Sequence, residues 1–487
     1  MTKTTSLRVH RSALACAFLP GRPARSLRLR VTTTLSLAAL STLSAAALPD
    51  PFASNNGFLP VDARSGELLW KGPFRTLNFD YPESAPPSAW LKQAPRRPLT
   101  VATAPAYAHA LKKFVEPAMR DMIEKPGEWN PKKAGWYDMP WQAQGQDATQ
   151  GREAILGSFA GQTLPSGTFA NINIPLQNHT VIYYDALSAT MLKKLWANPF
   201  NPNRSVVNFP EGAMVVKAGA VTTTPEQWPV IKDAALWHVW RPPVPVSRAP
   251  TGPASAKTSD SPPAAQILPL RLMQFDIIVK DSVAAPRTGW VFTTFVYNVD
   301  ALGKSPWEKL VPLGAMWGND PEVAKHETSK GLANKAHKDK PLKETWINDA
   351  APAYSKEQIG WGGRLSGPID ISKRHNVIFT GGGKASTEQR ASSCFSCHGT
   401  AQYPFVANLY PSPNLSFPPD GSAFLLYTPG SPEWNRWFQS RSGKTPQNKG
   451  RGSVALDYDM LIMLALDTFD RTSGSDLYLQ GRRVKGH

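Results

Sequence analysis

Between residues 165 and 321, apolar and polar positions alternate with the period of β-strands. In the stretch 270–280, apolar positions alternate with polar ones: Met273, Phe275, Ile277 and Val279 point one way, and Gln274, Asp276 and Lys280 point the other. Four further segments have β-rich composition: 180–184, 213–217, 236–240 and 290–297. The pattern predicts a β-rich domain over residues 165–321, built as an antiparallel sheet or sandwich.

Helical periodicity lies on either side of this region. Pro105 suits the first turn of a helix that runs to about Met122, and Pro117 is expected to kink it. A second helix is expected to begin at Ser431, and a third, apolar on nearly all sides, covers about 457–470. These patterns predict a fold of the α+β class, in which a β-rich domain precedes a small, mostly helical one.

Composition places the remaining boundaries. Residues 48–164 are a Pro-rich lead-in with one helix, 322–345 are a polar, Lys-rich connector, and 346–472 are the predicted helical domain. Residues 247–266, rich in Pro, Ser and Ala, are predicted to be a disordered insertion in the sheet region, and 473–487 a flexible tail.

The N-terminus has the order of features of a secretory signal peptide. Residues 1–30 hold seven basic residues and no acidic one, 31–47 are uncharged, and Ala45, Ala46 and Ala47 suit cleavage. We therefore expect residues 1–47 to be removed and the protein to be periplasmic or secreted, with no integral membrane span in the mature form. A single membrane anchor is the alternative, although the apolar stretch is short and rich in Thr and Ser.

The net charge of the chain indicates which kinds of partner to expect. Seven of the 54 basic residues and none of the 37 acidic ones lie in residues 1–47, so residues 48–487 carry a formal net charge of +10 (47 basic against 37 acidic). Such a charge favours solubility and encounter with an acidic protein partner. The basic residues are scattered and no nucleic-acid motif is present, so nucleic acid is not an expected partner.

The main chemical signal is the run Cys394-Phe-Ser-Cys397-His398, which has the C-x-x-C-H form of a c-type haem attachment site. Two thiols on one helical turn can add to the two vinyl groups of one haem, and the following imidazole can reach its iron as proximal ligand. Ser386, with Gln389 three residues on, resembles a capping box for this helix. The run predicts one covalently attached haem c.

The same cysteines could serve two other chemistries. A structural zinc site needs four ligands, but the only other cysteine is Cys16, inside the predicted signal peptide. A redox dithiol would sit in a strand–helix context, and residues 384–390 are polar and unlike a strand. The dithiol remains the main alternative to haem.

The attachment motif, with Gly399 after it, resembles that of bacterial c-type cytochromes. Specific motifs cover about a quarter of the chain: Trp317-Gly-Asn-Asp320, Gly360-Trp-Gly-Gly363 and Ser393–Tyr403 are similar to those of exported cytochrome c family proteins. By this resemblance Cys394 and Cys397 carry the haem, His398 ligates the iron, and residues 346–472 are a cytochrome c-like haem domain.

The distal iron ligand is the least determined position. Small cytochromes c use a Met from a loop before the last helix, and here only Met460 and Met463 follow His398. Met460 is the predicted sixth ligand, because a small shift in the start of the helix would place it in a loop. If both are core residues, the site is open or is filled from the N-terminal part. The candidates there are His326, His337, His375 and Met316.

Two functions of different classes follow. A six-coordinate haem predicts electron transfer to or from a redox partner. An open distal site predicts a haem enzyme, an oxidoreductase acting on a small molecule or peroxide. A single haem with no recognisable catalytic constellation favours electron transfer.

Overall fold

An antiparallel sheet of eight strands forms the centre of the computed structural model, which describes residues 49–95, 97–243, 264–327, 341–370, 373–380, 386–405, 409–413, 424–450 and 452–473. The strand order is β1-β2-β3-β5-β6-β7-β8, and β4 pairs with β5 beyond the end of β3. The strands are β1 Phe159–Leu164, β2 Leu176–Tyr184, β3 Met214–Val221, β4 Leu236–Arg241, β5 Gln266–Lys280, β6 Trp290–Tyr297, β7 Leu310–Met316 and β8 Thr345–Ile347.

Smaller strands lie in the C-terminal third. A three-stranded sheet has the order β10-β9-β12, and two short strands pair as β11 and β13. Their bounds are β9 Lys373–Phe379, β10 Ser386–Arg390, β11 Gln402–Tyr403, β12 Phe424–Leu426 and β13 Val454–Ala455.

Nine helices are described, most of them short. They are α1 Ala89–Gln93, α2 Ala104–Glu124, α3 Pro131–Ala134, α4 Ala186–Leu195, α5 Pro321–Ala324, α6 Ala353–Lys356, α7 Cys394–His398, α8 Pro432–Trp437 and α9 Met460–Ser473. Single 3₁₀ turns occur at Arg204–Val206, Pro229–Ile231 and Trp361–Gly363. Among the described helices, none combines the length and the apolar character needed to cross a membrane.

The longest helix, α2, covers one face of the sheet. It contains the predicted helix from Pro105 to Met122, and Pro117 lies inside it. Apolar residues spaced three or four apart put Leu111, Val115 and Met119 on one buried stripe. That stripe packs against β5 and β7, so helix and sheet share a single apolar core.

The strands divide their side chains between two covered faces. On the α2 face β5 contributes Phe275, Ile277 and Val279, which are fully buried. The opposite face carries Asp276 and Lys280 from the same strand, and both are also buried. Alternation correctly predicted which residues of β5 share a side. Because these polar side chains are buried, a second layer of chain must cover that face of the sheet. Charged side chains are rarely buried without partners, so this layer also has to supply partners for them.

The second layer comes from the C-terminal third, and it corrects the predicted fold class. The expectation of an α+β protein with a separate, mostly helical cytochrome c-like domain is wrong. Residues of α7 and α9 share one apolar core with Trp290 and Phe292 of β6, and that part of the chain also contributes β9 to β13. Helices α7 and α9 bury their apolar residues against the large sheet, whereas Trp434 and Trp437 of α8 pack in a separate cluster with β9 and β12.

Other expectations fall on residues outside the described ranges. These are the signal peptide 1–47, most of the insertion 247–266, most of the connector 322–345 and nearly all of the tail 473–487. The described residues belong to one compact unit.

Candidate functional site

The cysteine motif forms a capped single-turn helix, α7. Ser393 is its N-cap: its Oγ accepts a hydrogen bond from Ser396 N at 3.1 Å. The same Oγ donates to Asn319 Oδ1 at 2.7 Å, and Asn319 Nδ2 donates to Ser396 Oγ at 3.0 Å. Cys394 and Cys397 form no disulfide, and both residues are half-buried. The cap expected at Ser386 is wrong, because residues 386–390 form β10, and Ser393 has that role. The expectation that residues 384–390 are unlike a strand is also wrong, so the strand–helix context that a redox dithiol needs is present.

The Gly-Trp-Gly-Gly stretch lies directly against the helix. Trp361 N donates to Ser392 O at 2.9 Å, and Cys394 N donates to Leu365 O at 3.0 Å. A side chain at Gly360 would place its Cβ 2.1 Å from Ser392 O, so only glycine allows this approach. The structure therefore brings together the three motif stretches that are separated in the sequence.

A buried ion pair between Arg364 and Glu327 fixes the stretch Trp317–Asp320. Arg364 is fully buried, and its Nη1 donates to Glu327 Oε1 at 2.8 Å. Its Nε donates to Asn319 O at 3.0 Å, and Trp434 Nε1 donates to Glu327 Oε2 at 3.2 Å. The two charges hold each other in place, because removing either would leave the other buried and unpaired. Arg364 in turn fixes Asn319 beneath α7 through its hydrogen bond to Asn319 O.

His398 has one ring nitrogen fixed and the other available. Nδ1 lies 2.9 Å from Tyr458 O, and a carbonyl oxygen can only accept, so Nδ1 carries the proton. Burial lowers the pKa of His398 to about 4, which keeps the ring neutral near pH 7. Among the described residues, none forms a hydrogen bond with Nε2. This tautomer leaves the Nε2 lone pair free for a metal ion.

The turn that supplies this carbonyl has an uncommon backbone. Asp457 and Tyr458 both have positive φ, 48° and 67°, which side-chain-bearing residues seldom adopt. The Asp457 carboxylate holds the turn, because it accepts from Trp290 Nε1 at 2.9 Å and Phe209 N at 2.8 Å and pairs closely with Lys280. Backbone strain of this kind persists where the surrounding contacts over-determine it.

A cavity lies between the sheet and this turn. Its lining is mainly apolar and aromatic, and it includes both His398 and Met460. The lining residues are Ile182, Tyr184, Val215, Lys217, Ile278, Trp290, Phe292, His398, Asp457, Tyr458, Asp459, Met460 and Leu461. Phe292 forms an edge contact with the His398 ring at 4.8 Å between centroids.

The side chains of Cys394, Cys397 and His398 match a covalent haem in chemistry, but the cavity beside them is smaller than a haem needs. Two thiols one turn apart and a neutral imidazole match what haem attachment and iron ligation require. The cavity measures about 60 Å³, whereas cofactor-sized sites are typically about 300–1,000 Å³. Binding of a haem would therefore require this cavity to widen.

The two C-terminal methionines occupy different positions. Met460 is the first residue of α9 and is partly buried in the cavity wall, with its Sδ 3.8 Å from Thr400 Oγ1. Met463 is buried in the core that α9 shares with the sheet. The structure thus brings Met460 and His398 into one cavity, and Met460 as sixth ligand stays a prediction.

Neither Met316 nor His326, two of the other ligand candidates, lines the cavity that contains His398. Met316 is buried in β7, and His326 is exposed and lines a different cleft. His337 and the side chain of His375 lie outside the described residues.

Sequence reasoning missed several charged groups beside the cavity. Lys217 and Asp276 form an ion pair from neighbouring strands, and Tyr184 OH donates to Asp459 at 2.9 Å. Burial raises the pKa of Asp459 to about 6. The polar positions of β5 were visible in the sequence, but nothing local in the sequence indicates that they are buried.

No protein-family model matches this sequence, and no significant similarity to a curated protein or to a solved structure was found. The functional interpretation therefore rests on the residues themselves.

Proposed function

We propose that this protein is an exported monohaem c-type cytochrome that transfers single electrons to or from a redox partner. Cys394 and Cys397 would carry the haem and His398 would bind its iron. The observation that carries the proposal is the hydrogen bond from His398 Nδ1 to Tyr458 O, one turn from two thiols that form no disulfide. A half-buried imidazole held in this tautomer presents Nε2 as a ligand.

When bound, a haem supplies a one-electron iron couple. The protein's own residues orient His398 through the Asp457–Tyr458 turn, fix α7 through Asn319, and exclude water with Trp290 and Phe292. Met460 is the proposed sixth ligand, because it is the only other residue with a neutral sulfur donor among those lining the cavity.

The proposal includes export. Residues 1–47 would be removed as a signal peptide, and haem would be attached outside the cytoplasm. The remaining net charge of +10 favours an acidic partner protein, because opposite charge speeds encounter.

A haem oxidoreductase is the second candidate, and one observation favours it. Lys217 and the Tyr184–Asp459 pair line the same cavity as His398, so proton donors stand where a distal substrate would bind. An electron carrier has no need of such donors at its iron.

Carbon monoxide distinguishes the two functions. The wild-type protein is produced with haem-attachment machinery, reduced, and its absorption spectrum is recorded with and without the gas. A low-spin spectrum that the gas leaves unchanged is expected for an electron carrier with both axial positions filled. A prompt shift of the spectrum would contradict electron transfer with Met460 ligation and support the enzyme.

A further inference from the structure

Large apolar side chains that remain exposed are concentrated in one short segment, residues 58–74. Twelve such residues occur in the described part of the chain, and six of them fall within these 17 consecutive positions. They are Phe58, Leu59, Val61, Leu68, Leu69 and Phe74, and each is 37–47% exposed. Exposed apolar residues scattered singly are ordinary on a protein surface, whereas a group of them marks a surface that binds a partner.

The segment is an ordered two-stranded ribbon, and it is called the apolar ribbon. Val61 and Leu68 are paired across its two strands, and Asp62 N donates to Glu67 O at 2.8 Å. The Asp62 carboxylate closes the turn, because its Oδ1 accepts from Ser65 N at 2.7 Å. A two-stranded ribbon is only marginally stable by itself in water, so a further layer of chain packed on it would stabilise it.

The apolar surface of the ribbon continues onto the large sheet. Val61 and Leu68 are direct partners and point to the same side, and Trp70, two residues after Leu68, shares that side. The Trp70 ring contacts the His238 ring of β4, with 5.4 Å between centroids. Leu236 is 44% exposed and lies on the same side of β4 as His238, because the two are separated by one residue. The ribbon and the start of β4 thus present one apolar surface.

The charges of the apolar ribbon cancel. Its charged residues are Asp62, Arg64, Glu67 and Lys71, whereas residues 48–487 as a whole carry a formal net charge of +10. The excess positive charge therefore lies outside the ribbon, and acidic proteins and anionic membranes are attracted to basic surfaces rather than to neutral ones. A lipid surface is disfavoured further, because the turn would bring Arg64 and Glu67 into contact with hydrocarbon.

We propose that the apolar ribbon is a dimerisation surface, which a second copy of this chain covers across a two-fold axis. In a two-fold contact the same patch lies on both sides of the interface, so apolar side chains face apolar ones. The two acidic and two basic side chains of each ribbon can likewise pair across the axis. The excess positive charge that makes two copies repel each other stays outside the contact. The inference is independent of the proposed haem function.

The test is the oligomeric state of the full-length protein, measured by sedimentation equilibrium over a range of concentrations. The wild type should be a dimer that dissociates on dilution. Leu59→Asp combined with Leu69→Asp places one charge on each strand of the ribbon. It should raise the dissociation constant of the dimer by about 100-fold or more, because both charges would lose water in the contact. Leu302→Asp is the matched control, since it makes the same change at a fully exposed leucine between β6 and β7 and should leave the dimer intact.

A second measurement does not depend on any variant. Hydrogen exchange of the wild-type amides in 58–74 should be slower at protein concentrations above the dissociation constant than below it, because the second copy shields the ribbon from water. Equal exchange rates at both concentrations would contradict the proposal. Folding of the variants is checked by circular dichroism, and their spectra should match the wild type because the replaced side chains are exposed in the single chain.

Other results would overturn the proposal. A wild type that stays monomeric at every concentration would do so, and so would a dimer that Leu59→Asp with Leu69→Asp leaves intact, since its interface would lie elsewhere. A monomer that co-sediments with phosphatidylglycerol vesicles through the ribbon would make a lipid surface the occupant instead of a second copy.

Discussion

The two faces of the large sheet differ in chemistry although the same strands build both. The face toward α2 is closed by apolar residues such as Phe275, Ile277 and Val279. The face toward α7 and α9 buries Asp276 and Lys280 as well as aromatic residues, and it leaves the Lys217 side chain only 15% exposed. Close packing of apolar side chains is enough to stabilise the first face. The second buries charges whose desolvation costs free energy, and charges of this kind mark places where function outweighs stability.

The comparison predicts that substitutions on the α2 face change stability alone. Phe275→Ala removes a fully buried ring that packs against Trp307, and it should lower the free energy of unfolding by about 3–5 kcal/mol. Denaturant titration measures this, with Phe275→Leu as the milder control. Haem content per folded molecule should match the wild type, and a clear loss of haem would mean that the two faces are not separate in function.

Substitutions on the other face should change both properties. Asp457→Asn leaves Lys280 buried without its carboxylate and should cost about 3 kcal/mol. It also loosens the turn that orients His398, so the visible spectrum and the potential should shift. Lys280→Met combined with Asp457→Asn should recover part of the stability but not the spectrum. Recovery of both would make the pair a structural element only.

Two N-caps give a matched pair at smaller magnitude. Ser393→Ala and Ser431→Ala each remove a side-chain cap, of α7 and α8 respectively, and each should cost about 1 kcal/mol. Only Ser393→Ala should reduce the yield of attached haem, because it also releases Asn319. Thermal unfolding and haem quantification in the exported fraction test this. Equal haem yields would remove Asn319 and Ser393 from the attachment site.

The smallest effect on stability is expected at Met460, because its side chain is only partly buried. Met460→Ala should alter the oxidised spectrum and lower the potential if its sulfur is the sixth ligand. Met463→Ala should instead cost about 2–5 kcal/mol of stability and leave the spectrum unchanged. If neither variant changes the spectrum, the iron is open or bound elsewhere.

Local patterns predicted the strands well and the architecture poorly. The segment 290–297 coincides with β6, and 180–184 lies at the end of β2. The prediction of a separate haem domain over 346–472 was wrong because an apolar segment such as α9 indicates only that it is buried. It does not indicate which part of the chain covers it. The site shows the same limit. The Cys394–His398 run is local and could be read from the sequence, whereas the contact of His398 with Tyr458 spans 60 residues and that of Lys280 with Asp457 spans 177.

The most direct measurement is the intact mass of the protein exported from cells that express haem-attachment machinery, together with its spectrum after acid extraction of free haem. The wild type should carry the mass of one haem and retain its absorption band, and Cys394→Ser with Cys397→Ser should carry none. A wild-type protein that holds zinc or no cofactor at all under these conditions would contradict the haem assignment.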